Sequence, residues 1–377
     1  MIYSALRMLL GDSFKFFALV FTIASVAFLI SQQVGIFTGL MVRTTSQIRD
    51  VGASIWAIDP SVQYVDELRT LPDGVVDRVR SISSIASAHG LHKGFTRAIA
   101  GSNFRQSIIM GLDDHTLAGA PKWMLLGSAQ DLNQPDAIII DDRGYESLFP
   151  GQELRLGDSL ELNERRATIV GICRVSPPFA TFPVLYARQQ TARNFVGRER
   201  NFLTFVIAEP REGVPIAKAC ADIERATGLR AMGWREFAWK TVWFYVNNTG
   251  IPVNFAITIT VASVVGVVIT AQTFLVFIIE NTRNFAAMKA MGAGQWLLTK
   301  MIGAQVLLVG TLGLGIGLGV SALFFWSTKD TPKLRDFQLY MEILAGTSLA
   351  VIGISLLAAY LGARHTNAIQ PAVVFRG

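Results

Sequence analysis

Few residues in this chain have the types and spacing that enzyme or metal chemistry requires. His89 and His92 stand three residues apart, but no cysteine or third ligand lies near them in sequence, so a metal site is not predicted. No Gly-x-x-x-x-Gly-Lys-Ser/Thr phosphate loop is present, and Gly292-Ala-Gly294 lacks the lysine of such a loop. No Ser, His and Asp set can be assembled either. We therefore expect a non-catalytic chain that binds no cofactor itself.

Two pairs of adjacent aspartates are also not predicted to be catalytic. Asp113-Asp114 and Asp141-Asp142 both fall in predicted turns. Adjacent side chains on a strand or turn point in different directions, so the two carboxylates of a pair do not converge. We predict that both pairs are solvated loop charges.

The segment from Glu280 to Ala293 is better suited to binding a partner than to catalysis. Phe285, Met288 and Met291 recur at intervals of three, which predicts a short amphipathic helix, and Gly292 is a typical end for it. A short helix with an apolar stripe needs either a partner surface or the bilayer interface to cover that stripe. The pattern alone leaves both possibilities open.

Four long stretches without Asp, Glu, Lys or Arg surround this segment. They cover Phe16–Val42, Thr241–Ile279, Met301–Thr328 and Ile343–Ala363. A helix of about 20 apolar residues crosses the hydrocarbon core of a bilayer. Charged residues make up 16% of the chain, against about 25% in a soluble domain. We predict an integral membrane α-helical fold with transmembrane helices at 16–42, 251–279, 301–328 and 343–363, in a one-plus-three order around a large domain.

The charges of the chain exclude several classes of protein. The net charge is +6, but the basic residues are scattered without a Lys/Arg-rich run, so nucleic acid is not an expected partner and membrane lipid is. No ionisable residue lies in the middle of a predicted span. Ion-coupled transporters and proton pumps are marked by such residues, so neither is predicted.

Basic residues in short loops give the orientation. The connection 280–300 and the tail 364–377 carry a basic excess and are predicted to be cytoplasmic, together with the N-terminal segment 1–15. The loop 329–342 is periplasmic by parity, although its own charges dissent mildly. The large segment 43–250 is then extracytoplasmic. No cleaved signal peptide is predicted, and segment 1–15 is either an amphipathic helix on the inner leaflet or a helical extension of the first span.

The extracytoplasmic segment has the pattern of an α+β domain. Strand patterns occur at 51–58, 107–112 and 202–208, and helical patterns occur at 73–82 and from Pro215 to Gly228. These elements predict two related parts, 43–115 and 199–250. Between them we predict a β-rich insertion at 116–198, with short strands at 137–140, 153–162, 167–175 and 184–186.

Tryptophans and cysteines of this domain carry two further expectations. Trp234, Trp239 and Trp243 precede the second span, where indole rings favour the headgroup region, so we predict membrane-interface anchors. The alternative is a helix that uses them in the domain core. Cys173 and Cys220 lie in the exported segment, where a disulfide and two buried thiols are both compatible with the sequence.

Glycines of the third span fit close helix packing. Gly313/Gly317 and Gly315/Gly319 each have the small-xxx-small spacing that lets two helices approach closely in lipid. We predict that this stretch packs against another helix.

Taken together, these features resemble the permease subunits of MacB/FtsX-type ABC transporters. Members have one helix, an exported domain and then three helices, and a characteristic pattern follows their second span. That pattern is matched here by Glu280, Arg283, Phe285, Ala286, Met288, Lys289, Ala290, Met291, Gly292 and Ala293. Further similarity lies at 148–151, 156–158 and 170–171 of the β-rich part and in the ending 369–377. Since no ATPase is fused to the chain, it is most similar to the DevC-like branch.

The resemblance implies an exporter subunit that works by mechanotransmission. A separate ABC ATPase binds ATP and Mg²⁺, and its closure moves the short cytoplasmic helix of each permease in a homodimer. The exported domains then move against a periplasmic adaptor, a membrane fusion protein, beneath a TolC-like outer-membrane channel. The expected location is the bacterial inner membrane, and the cargo is not indicated. The ATPase-coupling residues implied are Glu280, Arg283, Phe285, Met288, Lys289, Met291 and Gly292.

Two alternatives stay open at this point. An FtsX-like signalling permease of the same fold would regulate an extracytoplasmic hydrolase and would need no outer-membrane channel. A membrane-anchored receptor would have no ATPase partner at all.

Overall fold

A computed structural model describes residues 7, 9–196, 202–292, 294–329, 331 and 337–366 of the 377-residue chain. Parts of the predicted N-terminal segment, outer loop and C-terminal tail therefore lie outside the described residues. The chain divides into a helical unit, Met1–Gly39 with Gly250–Gly377, and a sheet unit, Leu40–Thr249.

Helices and strands alternate irregularly along the chain. In order, they are α1 (Ser13–Thr44), α2 (Ser46–Val51), β1 (Ile55–Ile58), α3 (Val75–Arg80), β2 (Ile85–Ala100), β3 (Asn103–Leu112), β4 (Met124–Leu126), β5 (Ala137–Asp141), α4 (Asp142–Leu148), β6 (Ser159–Leu162), β7 (Arg165–Cys173), β8 (Val184–Arg188), α5 (Gln189–Phe195), β9 (Phe205–Pro210), α6 (Ile216–Thr227), β10 (Arg230–Gly233), α7 (Trp234–Asn248), α8 (Ile251–Glu280), α9 (Thr282–Ala290), α10 (Gln295–Thr328) and α11 (Met341–Thr366).

Four helices of the described residues are long and apolar enough to cross a membrane. Their spans are Ser13–Thr44, Ile251–Glu280, Trp296–Thr328 and Met341–Ala358. Each overlaps one of the predicted transmembrane helices. Their exposed side chains are mainly valine, isoleucine, leucine and phenylalanine, as expected for surfaces in contact with lipid.

The described residues of the N-terminal segment do not extend α1 without interruption. Residues 9–11 are helical, Asp12 forms a bend, and α1 begins at Ser13. The Asp12 carboxylate accepts a hydrogen bond from the backbone N–H of Lys15 at 3.3 Å, so it caps the first turn of α1. Leu9 is fully buried in the same apolar cluster as Leu298 and Met301 of α10. This part of the segment therefore packs against protein.

Two of the four predicted packing glycines contact a neighbouring helix. A Cβ built on Gly313 would lie 2.8 Å from the side chain of Ile23, and one on Gly317 would lie 2.6 Å from the Cβ of Ala27. A Cβ on Gly315 or Gly319 would meet no heavy atom within 4 Å. The first pair therefore faces α1, whereas the second pair lies on an open face of α10.

The sheet unit is built on one ten-stranded sheet. Its order is β10-β1-β9-β2-β3-β8-β5-β7-β4, and β6 pairs with both β2 and β7. The central strand β2 pairs antiparallel with β9 over residues 85–91 and with β3 over residues 92–100. One continuous strand therefore belongs to both halves of the sheet.

Strands from both predicted α+β parts form one half of this sheet. Strands β10, β1, β9 and the first part of β2 form antiparallel ladders. Helices α3 and α6 contribute Val75, Val79, Ala219 and Ile223 to the same apolar cluster as these strands. Helix α6 ends at Gly228, whose φ of 74° is the left-handed conformation that favours glycine.

Several predicted elements differ from the observed ones. The strand predicted at 51–58 begins only at Ile55, because Ser46–Val51 forms a short helix that ends at Gly52 with a φ of 67°. The strand predicted at 153–162 is restricted to Ser159–Leu162, since Gly157 has a φ of 90° that interrupts an extended chain. The sheet also continues across the predicted boundary at residue 116, because β3 pairs in parallel with β8.

Candidate coupling site

The site of interest lies where α8, α9 and α10 follow one another in the helical unit. Helix α8 ends at Glu280, Asn281 separates it from the first residue of α9, and Gly292 with a φ of 93° lets the chain turn after α9. The side chain of Thr282 donates to the carbonyls of Ile278 and Ile279, which satisfies backbone acceptors at the end of α8. The predicted short helix is therefore present as a separate element between two candidate spans.

The faces of α9 differ in their exposure. Ala286 is fully buried, and Met288 packs against the apolar cluster that contains Leu298 and Ile302 of α10. Arg283 is exposed, and Met291, which directly follows the last residue of α9, retains 76% of its accessible surface. Of the two methionines in the predicted stripe, Met288 therefore packs against the protein and Met291 is exposed.

Other matched residues of the pattern are less fully defined. Lys289 is half-buried, and Gly292 is exposed in the turn. The side chains of Phe285 and Ala290, and the whole of Ala293, lie outside the described residues. The next helix exposes Trp296 in its first turn, with the Lys300 Nζ 3.5 Å above the centre of its ring.

Glu280 forms an ion pair that local sequence patterns do not predict. Its carboxylate pairs with the ammonium group of Lys15, and Lys15 also pairs with Asp12 at 2.5 Å. Glu280 at the C-terminal end of α8 and Lys15 near the N-terminal end of α1 each interact unfavourably with the dipole of their own helix. Their mutual attraction offsets this unfavourable interaction. The available signal was that both charges sit at the same predicted membrane face, each at the end of an uncharged span.

The predicted interface anchors are divided between core and surface. Trp234 packs against the apolar core of the sheet unit, which fits the alternative interpretation for this residue. Trp239 and Trp243 are exposed one helical turn apart on α7. Their assignment to a membrane interface stays a prediction.

The prediction that Asp141 and Asp142 are solvated loop charges is wrong. Asp141 is only 3% exposed and Asp142 is also buried. The Asp141 Oδ1 accepts a hydrogen bond from the backbone N–H of Val184 at 2.8 Å, and Arg174 pairs with Asp142 at 3.3 Å. Burial raises the pKa of Asp141 to about 7. Asp141 anchors the start of α4 to β8, and Asp142 anchors it to the residue after β7. Local sequence could not reveal these contacts, because their partners lie more than 30 residues downstream.

Asp113 and Asp114 are also more enclosed than predicted. Asp113 accepts hydrogen bonds from the backbone N–H and the hydroxyl of Thr116, both at 2.9 Å. Asp114 lies 3.6 Å from Arg188. Both side chains are half-buried and organise the turn after β3.

The cysteine thiols are buried, and the imidazoles of His89 and His92 contact neighbouring groups of the protein. Cys173 and Cys220 are free and buried, and burial raises the pKa of Cys220 to about 11. The Nδ1 of His92 lies 2.5 Å from the carbonyl oxygen of Phe202, while His89 contacts Thr116. Within the described residues, no group of three His, Cys, Asp or Glu side chains is placed to hold a metal ion.

Comparisons with known proteins agree with this architecture. The family description "FtsX-like permease C-terminal" matches residues 256–371. The description "MacB-like periplasmic core domain" matches residues 16–226, which is more than half of the chain. No curated protein sequence matches the chain.

Solved structures show weaker similarity. The extracellular domain of the noncanonic ABC-type transporter YknZ from Gram-positive bacteria is 11% identical with a TM-score of 0.37, over 48% of this chain and 98% of that chain. The periplasmic region of MacB from Actinobacillus actinomycetemcomitans is 13% identical with a TM-score of 0.39, over 54% of this chain and 96% of that chain.

Both family descriptions belong to non-catalytic membrane components that work with an ABC ATPase. The first covers the last three candidate spans, and the second covers α1 and most of the sheet unit. This chain is a membrane protein of the MacB/FtsX-type family of ABC-transporter permeases.

Proposed function

We propose that this permease is the mechanical subunit of an ABC exporter. The observation that carries the proposal is the construction of α9, a short helix between two candidate spans. Ala286 is buried and Met288 packs against the neighbouring apolar cluster, while Arg283 and Met291 are exposed. Movement of an ATPase bound to these exposed residues would displace α9, and the attached α8 and α10 would have to follow.

The proposed topology has one span, an exported domain and three further spans, with both termini in the cytoplasm of a bacterial cell and the spans in its inner membrane. The basic excess of the 280–300 connection supports a cytoplasmic α9. The residues of α8 from Ile251 to Ile279 include no charged side chain, which suits a helix that transmits force and does not line a polar path.

The sheet unit supplies a surface for the proposed adaptor. Strand β4 lies at one end of the strand order, within the segment 116–198. Beside it, Trp123 keeps 72% of its accessible surface, and Leu125 and Leu126 of the strand are also exposed. An exposed apolar edge strand is a site where a second protein can add a strand. We therefore propose that the adaptor contacts this edge. In the proposed assembly two copies of this permease form a homodimer, and the adaptor lies below a TolC-like outer-membrane channel.

The experiment that tests the proposal introduces one charge at the exposed residue that follows α9. We expect M291D to abolish co-purification of the ABC ATPase, because a carboxylate would be desolvated in the apolar contact. Met341 provides a matched control, since it is 78% exposed at the start of α11, on the opposite membrane face in the proposed topology. The M341D variant should retain the ATPase.

Equal retention of the ATPase by M291D and M341D would refute docking through α9. If the proposal holds, the reconstituted permease, ATPase and adaptor show ATP-dependent efflux. ATP-driven movement without any efflux would favour the FtsX-like signalling permease instead.

A further inference from the structure

Lys93 is an unexplained charge in the interior of the sheet unit. It belongs to β2 and its side chain has 0% exposure. Its Nζ donates to the Oδ1 of Asp66 at 2.5 Å and to the carbonyl oxygen of Val65 at 3.0 Å. Burial lowers the pKa of Lys93, and the nearby Asp66 opposes that shift. A buried ion pair is often no more stabilising than apolar residues of the same volume, so stability alone is a weak reason for this pair.

The same aspartate also contacts helix α7. The hydroxyl of Tyr245 donates to the second carboxylate oxygen of Asp66 at 3.2 Å. Tyr245 is buried on the inner face of α7. Asp66 therefore bridges β2 and α7, and we name the set of Lys93, Asp66 and Tyr245 the Tyr245 clamp.

Neighbouring contacts also join α7 to the segment that contains Asp66. The Nζ of Lys240 on α7 donates to the carbonyl oxygen of Val62 at 2.6 Å. The rings of Tyr64 and Phe244 stack with centroids 4.0 Å apart, and Phe179 packs against Tyr245 at 4.9 Å. The irregular segment 59–71 is thus held on α7 by two polar bonds and a stacked pair of aromatic rings.

The elements that the clamp joins have special positions in the chain. Helix α7 ends at Asn248, and only Thr249 and Gly250 separate it from the candidate span α8. Strand β2 runs through both halves of the sheet. A displacement of α7 that the clamp transmits would therefore act at the centre of the sheet and would not be absorbed at its edge.

We propose that the Tyr245 clamp is the connection through which movement of α7 is passed to strand β2. Lys93, Asp66 and Tyr245 are positioning residues in this role, and the inference rests on the proposed mechanical function. A purely structural role would affect folding and stability, whereas a transmitting role affects the size of the movement that ATP produces in the sheet.

The test uses variants that break the clamp without leaving an unpaired buried charge. Y245F removes only one hydroxyl, and the double variant D66N/K93M removes both charges together. The matched control is Y145F, because Tyr145 is also a buried tyrosine, whose hydroxyl donates to Asp158 at 2.5 Å elsewhere in the same unit.

Two measurements are made on the full chain. Hydrogen exchange of segment 59–71 reports whether the clamp holds this segment, and we expect about fivefold to tenfold faster exchange in Y245F than in Y145F. A bimane label on Q106C, an exposed position of β3, reports movement of the sheet when ATP is added to the complex with the co-purifying ATPase.

The expected result is that both clamp variants bind ATPase and hydrolyse ATP like the parent but lose most of the ATP-dependent bimane signal. Y145F should keep that signal. Signals in Y245F and D66N/K93M equal to that of Y145F would overturn the transmitting role alone. A parent complex that hydrolyses ATP without any bimane signal would overturn the proposed mechanical function and the clamp with it.

Discussion

Asp141 shows how one carboxyl group can make the stability of the sheet unit depend on pH. Its folded-state pKa of about 7 lies above the ordinary value of 3.8, because the side chain is buried. Between about pH 4 and 7 the folded state therefore binds more protons than the unfolded state, and this contribution to stability declines as pH rises. The effect is opposite in sign to that of a salt-bridged aspartate.

We expect D141N to flatten the pH dependence of the apparent Tm between pH 5 and 8, since the amide does not titrate. D158N is the control. The Arg155 guanidinium beside Asp158 lowers the pKa of that carboxyl, so its contribution is lost only at pH below that interval. Thermal unfolding of the purified chain at several pH values measures both, and equal slopes in the parent and D141N would contradict the assignment.

The pair formed by Lys15 and Glu280 permits a charge-reversal test of its own. We expect K15E and E280K each to loosen the base of α9, raising the mobile fraction of a spin label at M291C by about fivefold. The double reversal K15E/E280K should restore part of the order, because it reforms this pair and places each charge at the helix end that favours it, while Asp12 loses its partner.

The control for this test is K300E, which changes the same charge near the same membrane face in a lysine that stacks on Trp296. It should leave the mobile fraction of the M291C spin label unchanged from that of the parent. A double reversal as mobile as the single variants would show that the pair does not position α9.

At the scale of elements, only some of the glycines of α10 contact a neighbouring helix. Gly317 meets Ala27 and backbone atoms of α1, whereas Gly315 faces open space two residues earlier. Backbone contacts cannot be relieved by rotating a side chain, so even one methyl group at position 317 would force the helices apart.

We expect G317A to lower the apparent Tm by several degrees and G315A to leave it unchanged or raise it slightly, because alanine is the better helix former. Thermal unfolding in one detergent compares the two. Equal shifts for G317A and G315A would show that α1 does not pack on this face of α10.

The elements also show what the sequence could and could not predict. The candidate spans and helix α6 follow from charge-free runs, apolar spacing and terminal glycine, all of which are local signals. Strand β2 is not predictable in this way, because His92, Lys93 and Thr96 are polar residues that become buried only through distant strands. The division of Met288 from Met291 likewise depends on α10, which packs on one face of α9.

For the whole molecule, the family is supported by matches to both the helical and the sheet unit. The local pattern around α9 predicts a coupling segment, but it could not show that Glu280 pairs with Lys15, more than 260 positions away. Nor could it show the Tyr245 clamp, whose three residues come from separate regions of the chain. Contacts of this kind are set by tertiary structure and leave no periodic trace.

Strand β2 has a practical consequence for dissecting this protein. Its residues 85–91 and 92–100 complete different ladders, so any truncation that removes one half leaves the other with an unsatisfied border of backbone N–H and C=O groups. Such a fragment would be prone to aggregate. Soluble pieces for crystallisation or antibody production should therefore retain the sheet unit intact, and chimaeras with relatives should exchange it as a single block.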